Sequence, residues 1–357
     1  MEKPGADRKT RRLHMSTRLL RSLEIFRQFD QGGGRHLGGH TMKPPRRTFL
    51  HLAAGAATLP LISHSAEAQD YPSRAVCIVV GFAPGESTDI LAPLMGQWLS
   101  ERLGQQFVIE NRTGAGTNLA TEMVINSPPD GYTLLFTTSA NFINAALYQN
   151  LKFNFANDTA PISLLTAEPN AMVVHPSVPA KSFAEFIAYA KANPGVVTMA
   201  SGGNGAPSHI SGEMFNMLAG VKMIHAPYRG AGPAQVYFSP LSASIGYIRQ
   251  DQLRVLGVTT GKRSKVLADI LVSRELVPGY EASQLYGVVA AKNTPAEIID
   301  KLNKEINAIL ATPAAKTRLA DLGTVPVGGS ATDFSKTITA ETEKWGKLVK
   351  VSGTKVD

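Results

Sequence analysis

Two turns in this chain share a design that suits the capture of an anion. The first is Phe82-Ala83-Pro84-Gly85-Glu86-Ser87-Thr88-Asp89, and the second is Ser201-Gly202-Gly203-Asn204-Gly205-Ala206-Pro207-Ser208-His209. Each follows an apolar run that reads as a strand, carries glycines that bare the backbone N–H groups, and leads into a helical pattern. A helix N-terminus presents unpaired N–H donors and about half a positive charge, so anions gather there. Ligands of open α/β sheets sit at the carboxyl ends of the strands. Two such turns facing each other across a cleft could hold the two ends of a small carboxylate. Taken singly, either turn also suits an ordinary capped helix start.

Other chemistry finds less support. His175, His209 and His225, the histidines beyond residue 68, lack the spacing of metal ligands. Gly85-Glu86-Ser87-Thr88-Asp89 lacks the closing glycine of a nucleophile elbow. Gly114 and Gly116 have Leu119 where a dinucleotide fingerprint needs glycine or alanine, with Thr117 weakening it further. There is no Walker sequence. His209 follows Ser208, but no carboxylate is assigned to orient it, so it reads as a hydrogen-bonded histidine at a helix start. The single cysteine, Cys77, cannot form an intramolecular disulfide and reads as a small buried hydrophobe. No catalytic, cofactor-binding or metal-binding residue is expected.

The elements around the turns follow an α/β grammar. The apolar run Val76 to Phe82 predicts a strand buried on both faces, as in a parallel sheet. A helix is predicted from Ile90 to Leu103, a strand from Gln106 to Glu110, a helix from Gly114 to about Asn126, and a strand from Tyr132 to Thr137. Past Pro161 the rhythm shifts, with strands at Ile162 to Leu165 and Ala171 to Val174, and a crossover to a second lobe near residue 172. There the reading gives a helix over Ser182 to Ala192 with Ser182 and Glu185 as a capping box. It continues with a strand at Val196 to Ser201, a helix at Pro207 to Leu218 and a strand at Leu253 to Thr259. Leu285 to Ala291 returns to the first lobe. Helices follow from the Thr294-Pro295 start to about Leu310 and from Phe334 to Val349.

The net charge of +8 comes from 36 Lys+Arg against 28 Asp+Glu in 357 residues. Residues 1–68 hold 12 basic and 5 acidic residues, leaving 24 against 23 for the rest. The basicity belongs to the leader, so no nucleic-acid partner follows from it. Within that leader, Arg46-Arg47-Thr48-Phe49-Leu50, a mildly apolar stretch and Ala66-Glu67-Ala68 resemble a twin-arginine export signal cleaved before Gln69. Met42 is expected to be the start. No run approaches the roughly 20 apolar residues of a membrane span.

The motifs together resemble the Bug receptors, the substrate-binding components of tripartite tricarboxylate transporters. The resemblance is carried by the first turn, by Glu110-Asn111-Arg112-Thr113-Gly114-Ala115-Gly116, and by Pro129-Asp130-Gly131-Tyr132-Thr133-Leu134-Leu135. It continues through Ala160-Pro161-Ile162-Ser163-Leu164, Ser201 to Glu213, His225-Ala226-Pro227-Tyr228-Arg229-Gly230, Pro278-Gly279-Tyr280-Glu281 and Glu343-Lys344-Trp345. It implies an α/β, two-lobed periplasmic-binding-protein fold of type II-like form, with a ligand cleft between lobes joined by hinge strands. Lobe one is expected at 69–172 and 284–357, and lobe two at 173–283. The implied function is extracytoplasmic capture of a small carboxylate for uptake or sensing: a di- or tricarboxylate, an acidic amino acid or an aromatic acid. The implied partners are that ligand and a membrane transporter or sensor, with the receptor a monomer. By position, the ligand contacts implied are Phe82, Ala83, Ser87, Thr88 and Asp89 in lobe one. In lobe two they are Ser201, Gly202, Asn204, Gly205, Ser208 and His209. Ser139 and Asn141, in the loop after the third strand, add polar contacts, and Tyr228 lines the cleft.

Four departures from the family pattern bear on function. Glu86 replaces a usual glycine: pointing inward it would oppose a carboxylate or favour a ligand bearing an amine, and pointing outward it would do nothing. Thr117 also replaces a glycine, and Pro93 an arginine. After Gln235 a stretch of helix, turn and strand is missing, which is expected to shorten a lobe-two helix and shift a neighbouring strand. The alternatives to a working receptor are an exported enzyme and a degenerate relative that no longer binds.

Overall fold

The computed structural model describes residues 70–148, 150–227, 234–259, 265–267, 270, 272, 275 and 277–352. The leader and Tyr228 lie outside the described residues. Strand β1 (Val76–Val80) buries four of its five side chains, as expected of a strand covered on both faces. It pairs in parallel with β2 (Phe107–Asn111) and β3 (Thr133–Thr137). Helix α1 (Thr88–Leu103) buries Leu91, Met95 and Leu99 along one stripe and stops at Gly104, which takes the left-handed conformation. Pro93 lies in its second turn rather than its first, on the exposed side. The bond it cannot make leaves only the carbonyl of the exposed Asp89 to solvent. Helix α2 (Asn118–Ile125) connects β2 to β3. The segment after β3, read from sequence as a loop, is helix α3 (Ser139–Leu147), followed by the short α4 (Phe155–Asp158).

One long strand then serves two sheets. β4 (Thr159–Val174) pairs over Thr159–Pro169 with β9 (Ser283–Ala291), and over Asn170–Val174 with β7 (Val236–Pro240) and β8 (Arg254–Val258), all antiparallel. The sequence pattern breaks β4 in two because Glu168 and Pro169 interrupt the apolar run. In the fold Pro169 is the last residue paired with β9, where the strand changes partners. The first sheet continues through β9 to β3. The second continues from β7 to β5 (Thr198–Ser201) and β6 (Ile224–Pro227), both parallel to their neighbours. Thr259 ties the two crossings together. Its hydroxyl accepts the Asn170 N–H at 3.1 Å, and its carbonyl accepts the Ala282 N–H at 2.9 Å.

Helices cover both sheets. α5 (Phe183–Ala192) starts at Ser182, whose hydroxyl accepts the Glu185 N–H. With α6 (Pro207–Ala219) it packs Phe183, Phe186 and Phe215 against Phe238 and Tyr280, ring centres 5.3 to 6.3 Å apart. α7 (Leu241–Arg249) follows β7 directly. Neither β7 nor α7 is assigned in the sequence reading, which lost its register at the apparent gap. Gln235 runs straight into β7, giving its N–H to Thr198 and accepting the His175 N–H. The helix expected to begin at Gly232 falls on residues outside the description, and the described Ala234 and Gln235 are not helical. The chain closes with α8 (Ala296–Ala311), α9 (Pro313–Asp321), β10 (Val325–Pro326) on β4, and α10 (Ala331–Ser352).

α10 rests on β9 through a close approach at Gly287. A Cβ there would lie 2.2 Å from Cζ of Phe334, a ring only 1% exposed. Gly287→Ala must push a buried ring aside, so it is expected to lose about 1–3 kcal/mol in denaturant unfolding. Paired with Phe334→Ala, which removes the ring, it should lose less than the sum of the two single changes.

Candidate ligand cleft

The two glycine turns meet across the junction of the sheets. Gly85, at φ 105°, turns the chain after β1 so that Ser87 and Thr88 open α1. On the other side Gly203 and Gly205, at φ 125° and 75°, let the chain after β5 fold back before Pro207 opens α6. Ser208 fastens this turn, its hydroxyl accepting the Gly202 N–H at 3.2 Å. Between the two helix starts lies a small, half-open cavity of about 20 Å³, walled by Ser87 and Thr88, by Ala206 and Ser208, and by Gln284 and Tyr286 of β9. Above it an open groove of about 520 Å³ runs along Phe82, Ala83, Gly116, Gly202, Asn204 and Pro227. The Thr88 hydroxyl is buried and has no hydrogen-bond partner among the described residues.

Glu86 lines both spaces. Its side chain points inward and accepts a hydrogen bond from the Tyr237 hydroxyl of β7, at 3.3 and 3.4 Å to its two oxygens. Burial pushes its carboxyl up to about 7, against the pull of the Tyr237 hydrogen bond. A second acid, Glu168 of β4, is fully buried and accepts the Ser242 N–H at the start of α7. Burial raises it to about 7 as well, despite hydrogen bonds from Ser242, Tyr286 and Ser87. Ser242 also donates its hydroxyl to that of Ser87 at 2.8 Å, so the starts of α1 and α7 meet at this acid. Burial, then Glu86, raises Tyr237, and burial, then Glu168, raises Tyr286.

Of the positions expected from sequence, Phe82, Ser87, Thr88 and Ser208 line the inner cavity, and Ala83, Gly202 and Asn204 the groove. The other described positions make bonds within the fold. Asp89 is exposed and accepts the Gly85 N–H, holding the first turn. Asn141 caps α3 by accepting the Thr138 N–H at 2.8 Å and donates to Thr121 and Thr117. Ser139 accepts the Leu285 N–H and pins the start of β9. The Ser201 hydroxyl sits 2.5 Å from His225 Nε2. Gly205 donates its N–H to His209 Nδ1, which leaves the His209 proton on Nε2. The rings of His209 and His225 stack at 3.6 Å. Burial, then the neighbouring His225, lowers His209 to about 3, and burial lowers His225.

Sequence reasoning missed Glu168, Tyr237, Ser242, Gln284 and Tyr286. Glu168 had a signal, a charge within the apolar run Leu164 to Val174, where a lone acid seldom goes without a purpose. The tyrosines and Ser242 reach the cleft only through pairing across the sheets. Among the described residues no cluster of His, Cys, Asp or Glu is placed to hold a metal ion, and no helix is long and apolar enough to cross a membrane.

Two sheets that share a through-running strand, with a polar cleft where helix starts converge, define a two-lobed binding protein of the periplasmic type. Residues 92–354 match the tripartite tricarboxylate transporter family receptor, and the chain belongs to that family. It is therefore a solute-binding receptor and not an enzyme. Protein BugT of Bordetella pertussis is 31% identical over 307 residues, 83% of this chain and 94% of BugT. Among solved structures, Rpa4515 of R. palustris with adipate is 34% identical at a TM-score of 0.77, over 80% of this chain and 99% of that one. MatC from Rhodopseudomonas palustris with bound malate is 28% identical at a TM-score of 0.74, over 78% of this chain and 100% of that one.

The buried acids and the buried histidine give stability opposite slopes in pH. Glu86 holds a proton in the fold that an ordinary carboxyl gives up near 4.5, so its contribution falls as pH rises from there to about 7. His209, held near 3 against an ordinary 6.5, contributes stability that rises with pH across that window. Glu86→Gln removes only the first slope. Relative to the parent it should gain up to about 2 kcal/mol between pH 5 and pH 8, read by urea unfolding at both.

Proposed function

We propose that this receptor captures a small carboxylate in the interlobe cleft, outside the cytoplasm, and delivers it to a membrane transporter or sensor. The observation that carries the reading is the cavity between the starts of α1 and α6, lined by Ser87, Thr88 and Ser208, with the Thr88 hydroxyl buried and unpartnered among the described residues. Two helix N-termini and a buried donor make a low-dielectric anion site, and each donor would bond a carboxylate oxygen. Adipate and malate in the two structural neighbours are ligands of the same chemistry. Lobe one in this reading is 69–172 with 284–357, and lobe two is 173–283. The leader routes the chain to the periplasm, with Arg46-Arg47 as a twin-arginine signal. Phe82, Ser87, Thr88 and Ser208 are the contacts proposed at the carboxylate.

One observation favours a second reading, a receptor fold that no longer binds: the Glu86 carboxyl already reaches into the space a ligand would use. Thermal unfolding of the purified protein against a panel of small carboxylates separates the two. A bound acid at 100 times its Kd should add about 2.7 kcal/mol of stability. Thr88→Val should weaken that binding about tenfold by stranding one carboxylate oxygen. A cooperative melt that no acid moves would favour the non-binding relative.

A further inference from the structure

Glu86 is more than an obstruction in the cleft. It stands at the throat between the inner cavity and the outer groove and bounds both. From the first turn it reaches over to Tyr237 of the other sheet, and a Cβ on Gly202 would come within 2.6 Å of its Oε1. A carboxylate has about four acceptor sites. Here the hydrogen bonds it makes among the described residues are two long ones shared by one hydroxyl. Among the described residues no cation contributes to its electrostatics. Among the described residues the titratable groups facing it are Tyr237 on β7 and Tyr286 on β9, with Glu168 of β4 beyond Tyr286. Each of these is neutral or negative.

We infer that Glu86 is the specificity-determining residue of this cleft, selecting small carboxylates that also carry an ammonium group over plain di- and tricarboxylates. The inference rests on the proposed function and narrows its ligand class. A ligand carboxylate placed at Thr88 and the helix starts would put any second carboxylate of a plain diacid beside Glu86. Like charges at such range cannot both ionise, so binding would cost a proton uptake. An ammonium on the carbon next to that second carboxylate, as in an amino diacid, offsets the repulsion, meets an opposite charge in a partly desolvated throat and fills the acceptor sites Tyr237 leaves open. Selection would therefore have two parts, attraction of the amine and repulsion of its plain counterpart.

Calorimetry at pH 8 with matched pairs tests this: succinate against aspartate, glutarate against glutamate, adipate against 2-aminoadipate. The parent protein is expected to bind the aminated member of at least one pair tenfold or more tightly. In Glu86→Gly that ratio should collapse to near unity or invert, while Glu86→Gln should lie between. A parent that binds the plain diacid as tightly as its aminated partner overturns the inference and leaves the carboxylate receptor standing. So does a preference for the aminated member that Glu86→Gly leaves unchanged. If no acid of either kind binds the parent or the glycine variant, both this inference and the proposed function fall.

Discussion

Glu168 sits two residues before β4 changes sheets, and its carboxyl receives the Ser242 N–H in the first turn of α7 while the Ser242 hydroxyl reaches Ser87, the residue before α1. Strand, helix and first turn are thereby fixed to one another at a single buried point. Putting an ionised carboxyl there costs several kcal/mol in desolvation. The start of α7 offsets part of that with its partial positive charge, and a raised pKa offsets more by letting the acid hold its proton. The position of Ser87, and with it the opening of α1, follows from this junction. Asn170, Thr259 and Ala282 then keep the two strand crossings in step beside it.

The same physics explains why the cleft can take an anion at some helix starts and not at others. Four helices begin around it. α7 is already matched to an internal acid, and α3 to its own capping box of Thr138 and Asn141. α1 and α6 have no side-chain cap at their starts. Both open instead onto the cavity that Thr88 lines. The two buried acids differ in the corresponding way. Glu168 is held by a main-chain N–H and is part of the frame, whereas Glu86 is held only by long contacts to Tyr237 and remains open to an incoming donor.

Much of this was legible because it is local. The strand–turn–helix order, both glycine turns and the helix from Pro207 follow from apolar periodicity and turn chemistry. Glu86 stood out because it takes a position where the resembling receptors have glycine. What was hidden depends on partners distant in sequence. Nothing near Asn141 reveals that its amide belongs to Thr117 and Thr121, and Ser139 looks like a cleft hydroxyl until Leu285 claims it. β4 looks broken at Glu168-Pro169 until β9, β7 and β8 supply its bonds in turn. In sequence His209 reads as a hydrogen-bonded helix start, and nothing there pairs it with His225. In the fold they stack on each other and spend their nitrogens on a glycine N–H and a serine hydroxyl.

Opening such a cleft is a matter of few bonds. Among the described residues the polar contacts across its mouth include the Ser87–Ser242 hydroxyl pair and the Glu86–Tyr237 contact, each worth about 1 kcal/mol net. The covalent path between sheets runs through β4 and through the segment that Thr259 ties to Ala282, so rotation there leaves both sheets intact. At the back, Trp345 and Val349 of α10 pack in one cluster with Ile210 of α6. Apolar surfaces of that kind slide at little cost because no directed bond is broken. A ligand therefore needs only a modest preference for the closed form to shift the population. Any group that already bridges the mouth sets the threshold that preference must exceed. Glu86 is such a group, so it acts on affinity as well as on selectivity: the ligand that binds must offer the carboxyl more than Tyr237 does.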